Sequence, residues 1–134
     1  MREVEVSRFV RATPTELRRT LSLEAIVEYE GSFDVQEVTE RDGETLVTVG
    51  GRGLTFTLRF EARENGYDYA QDGERGPFER METRLRYRRE NEGCRVTITS
   101  AVALGAPLPG GDRIAAWKRK GELKRALDAL AADV

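Results

Sequence analysis

"AAWKRKGELKRALDALAADV", residues 115–134, is the stretch on which the fold turns. Read as a helix, it places Ala116, Lys120, Leu123, Leu127, Leu130 and Val134 at steps of four, three, four, three and four, which is one continuous face. Asp112, just upstream, is expected to cap this helix, which then runs to about Asp133 and spans roughly 33 Å at 1.5 Å per residue. A helix of that length crosses a whole sheet. Lys120 is the one charged residue on the apolar face. A long side chain there can snorkel to water, meet an anionic or carbonyl group of a ligand, or pair with an internal carboxylate.

Working back from this helix, "GAPLPGGD" at 105–112 breaks a series of β-rich runs. "SFDVQEVTE", "ETLVTV", "LTFTLRFEAR", "YDYAQ", "FERMETRLRYRR" and "CRVTITSAVAL" are separated by Asp42-Gly43, Gly50-Gly51-Arg52-Gly53, Asn65-Gly66, Gly76-Pro77 and "ENEG", each a turn signal. Six strands joined by short turns read as an antiparallel meander, and the N-terminal "MREVEVSRFV" brings the total to about seven. Between that first strand and the meander, "TPTE" at 13–16 is a capping box with Pro14 in the first turn, so a helix begins near residue 14. Leu23, Ala25, Ile26 and Val27 continue as a second short helix ended by Gly31.

The alternation within strands identifies the covered face. Leu54, Phe56, Leu58 and Phe60 share one side of their strand, as do Met81, Thr83, Leu85 and Tyr87, and Val96, Ile98, Ser100 and Val102. Arg84, Arg86 and Arg88 fall on the other side, where a solvated face with cross-strand acids such as Glu61 is expected.

The totals narrow the function classes. At 134 residues the chain has the size of one domain, with 39% hydrophobic and 34% charged residues. No run approaches the ~20 apolar residues needed to cross a bilayer, and the N-terminus reads as a strand rather than a secretory segment. A cytoplasmic location is the expectation. With no histidine and only Cys94, no internal disulfide, no Ser/His/Asp or Cys/His nucleophile arrangement and no ordinary zinc or haem site can be assembled. No cofactor or metal is therefore expected. A net charge of −2 argues against broad nucleic-acid binding. "GGRG" at 50–53 lacks the GK[ST] ending and the following helix of a phosphate loop, and reads as a hairpin turn.

The order strand, short helices, six strands, long helix resembles the helix-grip fold of the START-like, SRPBCC superfamily, including its polyketide cyclase/dehydrase-like members. The likeness is carried by "VEVSRFVRATPTELRRTL" at the start and "WKRKGELKRALDALAADV" at the end. Arg18 and Arg19 stand where many relatives have a tryptophan in the first helical segment. The resemblance implies an α+β fold in which a curved seven-stranded antiparallel sheet wraps around the C-terminal helix, with a cavity between them for an apolar or amphipathic ligand.

Side-chain volume independently points to that cavity. The leucines fill the space beneath the second half of the helix, whereas Ala116, Lys120 and Gly121 leave room under residues 113–121. Candidate ligand-binding residues are Phe56, Leu58, Phe60, Tyr67, Tyr69, Met81, Thr83, Leu85, Tyr87, Ile98 and Ser100 on the sheet, with Ala116, Trp117 and Lys120 on the helix. Apolar walls with a few polar groups are the usual make-up of small-molecule sites. Taken alone, Trp117 also reads as a core or rim anchor, and the tyrosines as ordinary strand residues. Loops around Gly50–Gly53, Gly73–Pro77 and Gly105–Gly111 would form the mouth.

The leading expectation is binding or carriage of a small hydrophobic or amphipathic molecule by a monomer or weak homodimer. Two alternatives stand beside it. One is a cyclase or dehydratase, for which the inward set offers tyrosines and Lys120 but no identified carboxylate. The other is an interaction module using the outer sheet face, with a leucine-filled interior.

Overall fold

The computed structural model describes residues 1–105 and 109–134. Strand β1 (Arg2–Val10) leads into α1 (Pro14–Thr20) and α2 (Leu23–Glu30), followed by β2 (Asp34–Arg41), β3 (Glu44–Gly51), β4 (Leu54–Arg63), β5 (Gly66–Asp72), β6 (Arg80–Glu90), β7 (Gly93–Ala103) and the long α3 (Gly111–Asp133). All seven strands form one antiparallel sheet in the order β1-β7-β6-β5-β4-β3-β2. The sheet is curved and α3 lies in its grip, packed on β1 and β7 and against α2. This is the expected α+β helix-grip architecture.

Local chemistry sets the element ends. Thr13 accepts the Glu16 N–H at 3.1 Å while Glu16 accepts the Thr13 N–H at 3.2 Å, a complete capping box. Helix α2 stops at Gly31, whose φ of 76° lies in the left-handed region that a Cβ disfavours. Arg125 of α3 donates from Nε to the Glu30 carbonyl at 2.7 Å, satisfying one of the last acceptors of α2.

The inner face follows the alternation. Val47, Val49, Phe56, Leu58, Phe60, Tyr69, Met81, Leu85, Tyr87, Val96, Ile98 and Val102 are buried against Leu123, Leu127 and Leu130 of α3. The edge strand β2 departs from the pattern. It is exposed along most of its length and carries a bulge between Val35 and Glu37, a charged edge of the kind that resists pairing with another chain.

Two expectations for α3 are corrected. Asp112 is not its cap: the helix begins at Gly111 behind Gly110, with no side-chain cap. The Asp112 carboxylate reaches back to accept the Leu104 N–H at 2.9 Å and to pair with the terminal amine of Met1 at 3.1 Å, which ties the end of β7 and the start of β1 to the helix. The buried face also differs in phase. It runs through Ala116, Arg119, Leu123, Leu127 and Leu130, while Lys120 and Val134 are exposed. Ala116 and Leu123 are seven apart, and the intervening residue that turns inward lies three beyond Ala116, not four.

Candidate functional site

The centre of the inner face carries a polar row. Tyr69, Thr83 and Ser100 are register partners across β5, β6 and β7, and the Thr83 and Ser100 hydroxyls lie 2.8 Å apart. Three hydroxyls side by side in a buried sheet need partners, because an unpaired polar group there is costly. Arg119 supplies them. Its side chain is 2% exposed, and it donates from Nε to Ser100 Oγ at 3.2 Å and from Nη2 to Thr83 Oγ1 at 2.9 Å and Tyr69 Oη at 3.5 Å.

Two carboxylates neutralise this guanidinium. Glu30, the last residue of α2, takes a bidentate contact, Nη1 to Oε1 at 2.5 Å and Nη2 to Oε2 at 3.2 Å. Glu122, one turn along α3, accepts from Nη1 at 3.3 Å and is itself held by the Ser32 hydroxyl at 2.5 Å. Tyr69 donates its phenol proton to Glu30 Oε2 at 2.5 Å and stacks on Phe60 with ring centres 4.7 Å apart. The planar five-donor fork of arginine suits such a site as a lysine would not.

The charge states follow. Burial alone would lower the Arg119 pKa, but the charges of Glu30, Tyr69 and Glu122 outweigh it and push it further up, so the guanidinium stays charged. Burial, and then the Glu30 charge, raises the Tyr69 phenol well above its ordinary value, partly offset by Arg119. Tyr69 is therefore a proton donor at neutral pH.

Beside this cluster, between sheet and helix, is a cavity of about 30 Å3 lined by Phe56, Leu58, Met81, Phe78, Arg119 and Glu122, among others. That is about the space of one water. The room expected beneath residues 113–121 is largely occupied by the Arg119 side chain. The larger space lies outside, an open groove of about 870 Å3 where α3 meets the segments after α2, β3, β5 and β7. Ser32, Phe33, Pro77, Phe78 and Glu122 line both spaces, so groove and cavity adjoin.

The expected site residues separate into four groups. Phe56, Leu58 and Met81 line the cavity, and Tyr69, Thr83 and Ser100 hold Arg119. Phe60, Leu85, Tyr87, Ile98 and Ala116 are buried in the core without lining either space, and half-buried Tyr67 is turned toward the Leu21 carbonyl at 3.5 Å. Trp117 and Lys120 line the groove. Lys120 points out rather than in, and Trp117, at 76% exposed, is a rim residue and not a core anchor.

Arg119, Glu30 and Glu122 were not identified from the sequence, and Glu30 is the inward carboxylate that the alternation of strands could not reveal. A signal existed for it. A glutamate at the C-terminal end of a helix opposes the helix dipole, which hints at a tertiary partner. Of the expected mouth loops, Gly50–Gly53 and Gly73–Pro77 flank the groove through Arg52 and Pro77, while residues 106–108 of the third, Gly105–Gly111, lie outside the described residues.

The remaining candidates are quiet. Cys94 is buried, and burial raises its thiol pKa. Of the outer-face arginines, Arg86 pairs with Asp68 at 2.7 Å and Arg80 with Glu82 at 3.3 Å, whereas Glu61 pairs with Arg63 rather than with the ladder. No cluster of metal-binding side chains occurs among the described residues, and no described helix is long and apolar enough to cross a membrane.

Comparison with solved structures places this arrangement among known folds. A START superfamily protein from Mycobacterium smegmatis superposes with a TM-score of 0.78 at 15% identity, covering 98% of this chain and 96% of that one. The Zhui aromatase/cyclase from Streptomyces sp. R1128 gives 0.71 at 17%, covering 98% and 89%. The protein TTHA0849 from Thermus thermophilus gives 0.66 at 25%, covering 96% and 99%. No curated protein matches the chain in sequence. The sequence profile of one family, described as polyketide cyclase / dehydrase and lipid transport, matches residues 1–134 from end to end, and the chain belongs to that family.

Proposed function

We propose that the protein binds a small hydrophobic or amphipathic molecule in the groove along the first half of α3, with the adjoining cavity as an extension that opens when the ligand enters. The observation that carries this reading is the exposure of large apolar side chains on the groove. Trp117 is 76% and Ile114 61% exposed, and they share the groove with Phe33, Leu54, Phe78 and Leu104. Apolar surface gathered in a concave site, rather than scattered singly, marks a place where something binds. The family description, with its lipid transport, supports the same reading.

A cyclase or dehydratase reading is favoured less by this geometry. Its acid and base would have to be Tyr69 and Glu30, yet both oxygens of Glu30 are held by Arg119 and Tyr69 is sealed beneath it. A general base so committed would have to break its ion pair before accepting a proton.

Native mass spectrometry of the freshly purified protein tests binding, first as isolated and then after incubation with fatty acids and aromatic alcohols. A stoichiometric adduct on the monomer mass is the expected result. Bare protein under every condition would overturn the proposal.

A further inference from the structure

The groove differs from the rest of the surface in charge. The chain carries a net charge of −2, and most of its arginines on the outer sheet face are paired with acids. Around the groove stand Arg52, Lys118, Lys120 and Lys124. Among the described residues none of these four forms an ion pair. All three lysines of the chain are in this set. Lys120 and Lys124 are like charges four apart on one helix, an arrangement that opposes helix stability, and among the described residues neither is in an ion pair. Glu122, the one acid among the described residues lining the groove, is already taken by Arg119 and Ser32.

The groove floor has a second feature that the fold does not require. Gly121 lies in the middle of α3, where glycine is a poor helix former. A Cβ built on it would meet no atom within 4 Å. No other segment among the described residues takes up the space. The missing side chain leaves a notch, one helical turn from Trp117, over which a flat or extended apolar body can lie against the helix backbone.

We infer that the ligand is an anionic amphipath, a molecule whose apolar body lies over Gly121 between Trp117 and Phe78 and whose carboxylate or phosphate is held by the lysines of α3 and Arg52. This rests on the binding reading above and adds the ligand's charge. Burial of the apolar body excludes water from the rim and strengthens each lysine contact with the anion.

The test uses laurate and dodecanol, which share a chain length and differ in charge, at mildly alkaline pH, where the laurate carboxylate is ionised. Trp117 is the only tryptophan, so its emission reports occupancy of the groove directly. Laurate is expected to shift that emission and to bind about tenfold more tightly than dodecanol, the scale set by one or two partly screened ion pairs. The combined Lys118→Gln, Lys120→Gln and Lys124→Gln variant should lose the preference for laurate and keep the affinity for dodecanol. Equal affinity of the two probes for the unaltered protein would overturn the anionic assignment while leaving the binding reading intact. No response to either probe, together with no adduct by native mass spectrometry, would overturn both. Sedimentation with phosphatidylglycerol vesicles, without a one-to-one laurate complex, would assign the cationic rim to a membrane surface and overturn the soluble-ligand proposal.

Discussion

Arg119 and Glu30 meet in a two-point ion pair that joins the middle of α3 to the end of α2, 89 positions away in the chain. The guanidinium is buried, while the carboxylate keeps 13% of its surface. The two partners therefore differ in what happens when the other is lost. Glu30→Gln leaves the buried guanidinium among Tyr69, Thr83 and Ser100 with Glu122 as its remaining carboxylate and is expected to cost up to about 3–5 kcal/mol. Arg119→Met leaves a carboxylate that can turn to water and replaces the buried charge with an apolar chain, so its cost should be smaller. Urea denaturation midpoints decide the order. A larger loss for Arg119→Met would contradict this account of the pair.

Gly121 gives a prediction of opposite sign. Because its Cβ position is open, Gly121→Ala should raise stability by about 0.5–1 kcal/mol through helix propensity alone. Gly121→Leu should also fold, with an unchanged circular dichroism spectrum, but fill the notch and weaken ligand adducts in native mass spectrometry. A destabilised Gly121→Ala would mean that the fold, not the ligand, requires the glycine.

At high pH the tyrosines and the thiol act in the same direction. Burial is the largest cause of the raised pKa values of Tyr69, Tyr67, Tyr29 and Cys94. The stability each contributes is fully present below its unfolded value, about 8.5 for cysteine and about 10 for tyrosine, and is lost as pH rises toward the folded value. Thermal unfolding temperature should therefore fall above about pH 9, and less steeply in Tyr69→Phe. A flat alkaline limb in the parent protein would contradict the burial of these groups.

At low pH the sign reverses for Asp68 and Asp112. Burial would raise Asp68, but Arg63 and Arg86 together hold it below its usual value. The Leu104 N–H and then the terminal amine lower Asp112. Their contributions are present above about pH 4 and are lost as pH falls through the lowered folded values. Asp112→Ala should flatten part of this acid limb and loosen the join between β1 and α3, measured as faster amide exchange at Leu104.

The strands, turns, capping box and long helix are legible from the order of residues because each rests on a short-range rule. Period-two alternation placed Phe56, Thr83 and Ser100 on the inner face, and Gly31 marked the end of α2. The phase of α3 is different in kind. Between Ala116 and Leu123 a helix can turn either its third or its fourth residue inward, and both candidates, Arg119 and Lys120, are long cations. The choice is made by partners remote in sequence, Glu30 on one element and Tyr69, Thr83 and Ser100 on three others, which no periodicity along α3 contains. The expected cavity is smaller for the same reason: Arg119 turns into the room beneath Ala116, while Gly121 lies on the exposed side of the helix. Trp117 was ambiguous because a tryptophan at the flank of a helix face turns in or out according to the loops around it.

The most direct test of the groove as the binding site is a two-dimensional amide NMR spectrum recorded through a titration with laurate. Shifts concentrated at Ser32, Phe33, Phe78, Gly121 and the Trp117 indole are the predicted result. Shifts confined to Arg84, Arg86 and their neighbours on the outer sheet face, or none at saturating laurate, would contradict it.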